Sequence, residues 1–223
     1  MNKPDILTKD LIKNIYTSVF RQSTKQDGFY YLNLGSKIES KEFRQLMIDI
    51  KNSLSVLCKE NLKKELHYKS LGRFTHQNTS KPHRDTADNH SFLMLGYEPT
   101  MVESKAYITD YSKFIEQQKI SIETFFSKDK EANLVEDTSL LEDYTTEINP
   151  FNKNDYRILI ANNSRSYEEK TFGVFHSAEI PKKIDNQDRI LNYMMLRLSD
   201  LNSKEQYTLQ NIEEFLSTDK VNR

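Results

Sequence analysis

The sequence predicts a β-rich α+β fold. Three observations carry that prediction: helical apolar spacing confined to the two ends of the chain, short aromatic and β-branched runs between them, and Gly, Pro, Asn or Asp at the breaks. At the N-terminal end, Leu11, Ile12, Ile15, Tyr16, Val19 and Phe20 recur at helical spacing behind Thr8, a residue suited to accept from the first free amides. Asp27-Gly28 breaks that helix, and Phe29 to Leu34 then has the β-prone character of a strand. Ser40 opens a second helix with Phe43, Leu46, Met47, Ile50, Leu54 and Leu57 on its apolar face. Beyond Lys64 the strand-like runs are Leu71 to Thr75, Ser91 to Tyr97, Ala106 to Ile108, Tyr156 to Ala161, Phe172 to His176 and Arg189 to Leu196. Residues 128 to 150 are acidic, lack apolar periodicity and end in Asn149-Pro150, so they read as one long loop. A closing helix follows Ser203, with Gln206 at capping-box spacing ahead of Leu209, Ile212, Phe215 and Leu216.

Composition limits what such a fold can be. A chain of 223 residues is expected to form a single domain, here 1–64 as a helical brace with the first strand, 65–200 as the β core and 201–223 as the C-terminal helix. The mean hydropathy of -0.75 indicates a wet surface, whereas an 11% aromatic content is unlike that of disordered chains. With 32 basic against 33 acidic residues there is no overall field to gather nucleic acid or an anionic membrane. The lone Cys58 cannot form an intramolecular disulfide, and the charged start MNKPDILTKD lacks the apolar stretch of a signal peptide, so a cytoplasmic location is expected. No apolar run approaches the roughly 18 residues of a membrane span. Gly-rich phosphate loops and a G-x-S-x-G elbow are also missing, which removes kinase, dehydrogenase and α/β-hydrolase readings.

The residues that suggest chemistry begin with His83 and Asp85. In an extended chain, side chains two apart share a side, so this imidazole and carboxylate can converge on one ion. A third donor is needed, and His176 offers it at the end of Phe172-Gly173-Val174-Phe175-His176, where Gly173 permits a close neighbour. Arg189 follows at the start of the next strand-like run. Two histidines and one carboxylate occupy one face of an octahedral Fe(II) and leave adjacent positions for a chelating co-substrate and O2. An arginine suits the far carboxylate of such a co-substrate, because its planar fork binds a carboxylate through two parallel bonds. Arg73, Thr75 and Gln77 alternate on one side of the preceding strand, so Arg73 and Gln77 are candidate substrate contacts if that side faces inward. Asn162, in Asn162-Asn163-Ser164, is another candidate, although such residues after a strand also make turns. His90 offers a rival arrangement with His83 and Asp85, a compact hydrolytic zinc site.

In the order His83-x-Asp85, His176, Arg189, the sequence resembles the Fe(II)- and 2-oxoglutarate-dependent dioxygenase superfamily, and Asp27-Gly28-Phe29-Tyr30-Tyr31-Leu32 looks like the strand that often precedes the core of its members. The resemblance covers most of the chain and implies a double-stranded β-helix, a jelly-roll barrel of cupin type. It implies His83, Asp85 and His176 as iron ligands, and Arg189 as the 2-oxoglutarate anchor. Many members carry a serine two residues after that arginine. Here the position is Leu191, so Tyr193 on a regular strand, or Asn192 on a bulged one, stands as the second co-substrate donor.

The activity implied is O2-dependent hydroxylation of a small-molecule or amino-acid-like substrate, with 2-oxoglutarate converted to succinate and CO2. Demethylation, desaturation and cyclisation use the same parts, while the carboxylate at Asp85 disfavours halogenation. The rivals are a non-catalytic cupin-like protein that binds a metal or ligand, and a facial-triad iron oxidase that does not use 2-oxoglutarate. Oligomeric state is left open.

Overall fold

The computed structural model describes residues 7–126, 138–148, 150–165 and 172–222. The first helix, α1 (Lys9–Val19), is capped as its sequence predicts: Thr8 Oγ1 accepts from the Leu11 amide at 3.1 Å, and Ile12, Ile15 and Val19 are buried. Strand β1 (Phe29–Gly35) leads to α2 (Ser40–Leu62). Here Glu39 and not Ser40 is the N-cap, because Glu39 and Glu42 satisfy each other's backbone amides in a capping box. The helix ends at Lys63, whose φ of 56° is left-handed, and strand β2 (Lys64–Thr75) starts at the next residue. The strand is longer than its apolar run suggested, since Lys64, Glu65 and Lys69 interrupt the pattern while Leu66 and Tyr68 are buried.

The remaining strands are β3 (Ser80–His83), β4 (Ser91–Tyr97), β5 (Lys105–Thr109), β6 (Thr145–Ile148), β7 (Tyr156–Asn162), β8 (Phe175–Glu179) and β9 (Ile190–Asp200). They form two antiparallel sheets with orders β1-β7-β4-β9-β2 and β3-β8-β5-β6. The pairs β2·β9, β3·β8, β4·β7 and β5·β6 are nested, as in one long hairpin, and β4·β9 and β5·β8 join its turns side by side. Alternate members of that nest fall in different sheets, so the hairpin is folded across the gap between them.

Three apolar layers follow from this wrapping. On the outer face of the larger sheet, α1, α2 and α5 (Leu209–Ser217) cover Leu66, Tyr68, Phe92, Met94, Ile158 and Met194. Helix α2 lies so close that a Cβ at Gly96 would overlap Met47 and stand 2.9 Å from Phe43. Between the sheets, Leu93, Leu95, Tyr97 and Met195 meet Ile108 and Ile148. On the outer face of the smaller sheet, α3 (Tyr111–Gln118), α4 (Ile122–Phe125) and a 3-10 turn at Ser139–Tyr144 pack around Phe175.

These last three elements depart from the sequence reading. Helix α3 is too short for its apolar spacing to stand out, but Asp110 caps it by accepting from the Lys113 amide. Within the stretch expected to be a long loop, residues 138–148 form the 3-10 turn and β6; residues 127–137 and 149 lie outside the described residues. Strand β8 begins at Phe175 rather than Phe172. Helix α5 starts later than proposed, with Thr208 and Asn211 in place of Ser203 and Gln206 as its capping box. No helix among the described residues is long and apolar enough to cross a membrane.

Candidate metal centre

His83 closes β3 and His176 is the second residue of β8, and the two face each other directly in the β3·β8 register. Their rings lie 4.3 Å apart between centroids. Asp85 follows β3 by two residues and turns its Oδ1 to both: 3.5 Å from His83 Nε2 and 3.8 Å from His176 Nε2. One donor atom from each of the three residues lies within 4.8 Å of the others, and no other group of this kind exists among the described residues. His90 is therefore not part of the cluster, and the compact zinc arrangement is not formed.

The electrostatics suit a divalent cation. His83 Nδ1 stands 2.7 Å from the Lys81 carbonyl, which can only accept, so Nδ1 carries the hydrogen and Nε2 is left as an electron-pair donor. Burial pushes the His176 pKa down to about 4, more than Asp85 can offset, so this ring is neutral at neutral pH. Burial would raise the Asp85 pKa, but the His83 bond, the two imidazoles and the Tyr193 hydroxyl hold it at about 2. Against the effect of burial, the Asp85 carboxylate and the Lys81 carbonyl raise the His83 pKa, so a metal would displace the proton between His83 Nε2 and Asp85 and meet two imidazoles and one carboxylate, borderline and hard ligands of the kind that take first-row divalent metals.

Residues outside the cluster fix it in place. Tyr193 donates to Asp85 Oδ2 at 2.9 Å. Asn163 grips the Asp85 backbone from both sides, its Oδ1 accepting from the amide at 2.9 Å and its Nδ2 donating to the carbonyl at 3.0 Å. The buried Arg84 ties the same turn to the Asn163 carbonyl through Nε. Ahead of His176, Arg21 pairs with both oxygens of Asp110 and donates to the Phe172 and Gly173 carbonyls. Gly173 is required there: a Cβ would overlap the Ser164 carbonyl oxygen. Asn163 was legible only as one of three adjacent turn-forming residues, and nothing in the sequence linked Arg21 to the site.

The three residues open onto a cavity of about 560 Å³ between the sheets. Arg189 lies in its wall, buried, with Nη1 donating to the His76 carbonyl at 3.2 Å and the guanidinium 5.2 Å from the Tyr97 ring centre. Its Nε is buried without a hydrogen-bond partner. Phe74, Leu95 and Leu191 make the apolar wall, and Ser70, Asn78 and Ser80 add polar groups.

Other candidates lie elsewhere. Arg73 points to the opposite face of its sheet, where it bonds Glu98, Asn192 and the Thr218 carbonyl. Strand alternation explains this, since Phe74 and not Arg73 faces the cavity. Gln77 holds the segment before β9 through the Ile184 and Gln187 backbones. Asn162 is buried against the Val19 carbonyl and the Ser164 amide. All three are structural contacts outside the cavity lining. Of the pair on β9, Asn192 joins the Arg73–Glu98 network, while Tyr193 faces the cavity. Its hydroxyl hydrogen is directed to Asp85 and so is already engaged.

No protein-family model matches the chain, and no curated protein matches it. Among solved structures, it is similar to two of the iron and alpha-ketoglutarate-dependent endoperoxidase NvfI in different conformations, each at a TM-score of 0.43 and 10% identity over 78% of this chain and 79% of that one. A single-residue variant of that endoperoxidase gives 0.42 and 9%, over 78% of this chain and 77% of the other. So distant a likeness assigns no function.

Proposed function

We propose that the chain is an Fe(II)- and 2-oxoglutarate-dependent oxygenase, a single domain whose nested, folded hairpin is a double-stranded β-helix. The observation that carries this reading is the combination in one cavity of the His83–Asp85–His176 cluster and the buried Arg189, whose Nε has no partner. A buried Nε–H without an acceptor is costly, and a carboxylate from a bound molecule would complete it.

In this reading His83 Nε2, Asp85 Oδ1 and His176 Nε2 would hold the iron, beside the cavity that would receive co-substrate and substrate. When bound, iron and 2-oxoglutarate supply the activation of O2 that couples release of succinate and CO2 to hydroxylation of a substrate C–H bond. Arg189 would take the far carboxylate of 2-oxoglutarate and set its orientation. Tyr193 keeps Asp85 turned to the two imidazoles, and Asn163 keeps its backbone in register. Phe74, Leu95 and Leu191 exclude water from the co-substrate, which protects the reaction from unproductive quenching. The cavity volume suits a small or amino-acid-like molecule beside the co-substrate.

Succinate formation from 2-oxoglutarate tests the proposal. It should require both Fe(II) and O2 and vanish in Asp85→Ala. Tight Fe(II) binding without succinate would instead support the non-catalytic binding protein, and O2 consumption without succinate the oxidase that does not use 2-oxoglutarate.

A further inference from the structure

One wall of the main cavity carries a short stack of rings that the metal cluster does not use. Ser70, Phe74 and His76 line the cavity from one side of the chain, and Gly72 between them has no side chain: a Cβ there would stand 3.1 Å from the Phe74 ring. Phe74 is half-buried, and the exposed His76 ring lies nearly parallel to it, at 17° and 5.9 Å between centroids. Tyr193, the residue that holds Asp85, meets Phe74 edge-on at 5.8 Å. The backbone under the two rings is fixed from both edges. Asn222 accepts from the Thr75 amide and donates to the Arg73 carbonyl, both at 2.9 Å, while the His76 amide donates to the Arg189 carbonyl and Arg189 Nη1 to the His76 carbonyl.

We infer that the substrate of this site is an uncharged, flat aromatic or heteroaromatic molecule, its ring added to the Phe74–His76 stack and its polar edge bonded to Ser70 and Asn78. This rests on the oxygenase reading and narrows the substrate class which that reading leaves open. Flatness follows from the stack, because two near-parallel rings in a cavity wall present a face that a third ring can extend. Neutrality follows from the rest of the lining. Among the described residues, and the histidines apart, only Asp85 and Arg189 in that lining are ionised; the first belongs to the metal cluster and the second serves the co-substrate. A charged group on the substrate would leave water with nothing opposite it. What remains is neutral: the Ser70 hydroxyl, and Asn78, whose Oδ1 accepts from the exposed Lys183 Nζ and whose Nδ2 is left as a donor. A free amino acid, with its two charges, does not match this lining, whereas a ring bearing an amide or hydroxyl does.

Benzamide, benzoate and benzamidinium are probes of one shape and three charges, and cyclohexanecarboxamide is the neutral probe without a flat ring. Each is titrated into Zn(II)-loaded protein with 2-oxoglutarate present, whose own binding is read first by calorimetry. The signal is the NMR shift of the His76 ring proton between the two nitrogens, assigned by its loss in His76→Asn. Benzamide should move it upfield, by the ring current of a stacked ring, and saturate. Both ions should need about tenfold higher concentration or more, the effect of a charge desolvated without a partner. The saturated amide, read by competition with benzamide, should need about three- to tenfold more, the scale of one lost ring contact. Phe74→Leu should weaken benzamide by a similar factor, and if that variant does not fold the wild-type series still decides. With 2-oxoglutarate bound, and the oxygenase reading therefore intact, an unmoved His76 signal overturns the inference, as does an ion or the saturated amide that binds as tightly as benzamide. Failure of 2-oxoglutarate to bind overturns that reading, and this inference with it.

Discussion

The Tyr193 hydroxyl donates to Asp85 Oδ2 at 2.9 Å, while the other oxygen of the same carboxylate faces His83 Nε2 and His176 Nε2. A carboxylate is free to rotate about its last torsion, and this bond removes that freedom. The consequence is that Asp85 presents one oxygen to the point where the imidazoles converge. Because Tyr193 belongs to β9 and the histidines to β3 and β8, the bond also fastens the larger sheet to the smaller one at the site.

Removing that hydroxyl should therefore weaken metal binding without removing a ligand. Tyr193→Phe is expected to lower the affinity for Fe(II), or for Co(II) as a stable probe, by about 10- to 100-fold, the usual range for loss of a partner to a metal ligand. Calorimetric titration of the metal into the variant measures it, and unchanged affinity would show that the carboxylate is oriented by other means.

Asn163 makes a separate prediction. Its amide satisfies both backbone groups of Asp85, and Asn163→Ala leaves a buried donor and acceptor without partners at the most constrained turn of the site. The loss expected is about 1–3 kcal/mol of stability. Urea unfolding of the metal-free protein reads it, and Asn163→Asp, which sets a carboxylate oxygen against the Asp85 carbonyl, should not recover it.

In the metal-free protein the His176 ring should cost stability on mild acidification, while His83, its pKa raised against burial by Asp85 and the Lys81 carbonyl, works in the opposite sense. His176 has a folded pKa of about 4 against an ordinary value of 6.5, so between those limits the unfolded chain takes up a proton that the folded one does not. Stability on this account is complete above pH 6.5 and falls as pH drops towards 4, by at most about 3 kcal/mol; the ring's residual exposure reduces the figure. Chemical unfolding of chelator-treated protein at pH 7 and pH 5 checks the sign. In His176→Asn the part of the slope due to this ring should disappear.

How much of this site could be read from the chain depends on the kind of contact. The convergence of His83, Asp85 and His176 was legible because residues that can hold a metal are of few types, and a two-residue spacing in extended chain has one geometric meaning. The place of Arg189 in the cavity wall was legible from its position at the entry to a strand-like run, whereas Arg197, of the same parity, lies far along β9 beside Asp88. Arg73 faces away from the cavity because alternation says which residues share a face, but which face turns inward is decided by the packing of α2 and α5. Gln77 lies beyond the end of β2, where alternation no longer holds, and Asn162 at the end of β7 is turned to the Val19 carbonyl. Helices α3 and α4 were missed because four to eight residues make too few turns for a period to be seen. The clamp from Asn163 and the strap from Arg21 are long-range contacts to backbone atoms, and these carry no local signature.

In the function proposed, one cavity holds iron on His83, Asp85 and His176 and 2-oxoglutarate on Arg189. The most direct measurement is anaerobic titration of 2-oxoglutarate into the Fe(II)-loaded protein, followed by the iron-to-co-substrate charge-transfer absorption. Wild type should develop the band and saturate. Arg189→Lys should bind Fe(II) as before but shift saturation by about 1–3 kcal/mol, the scale of a lost charge-assisted pair, while Arg197→Lys titrates like wild type and Asp85→Ala gives no band. A wild-type protein that binds Fe(II) but develops no band, or a band indifferent to both Asp85→Ala and Arg189→Lys, would contradict the account.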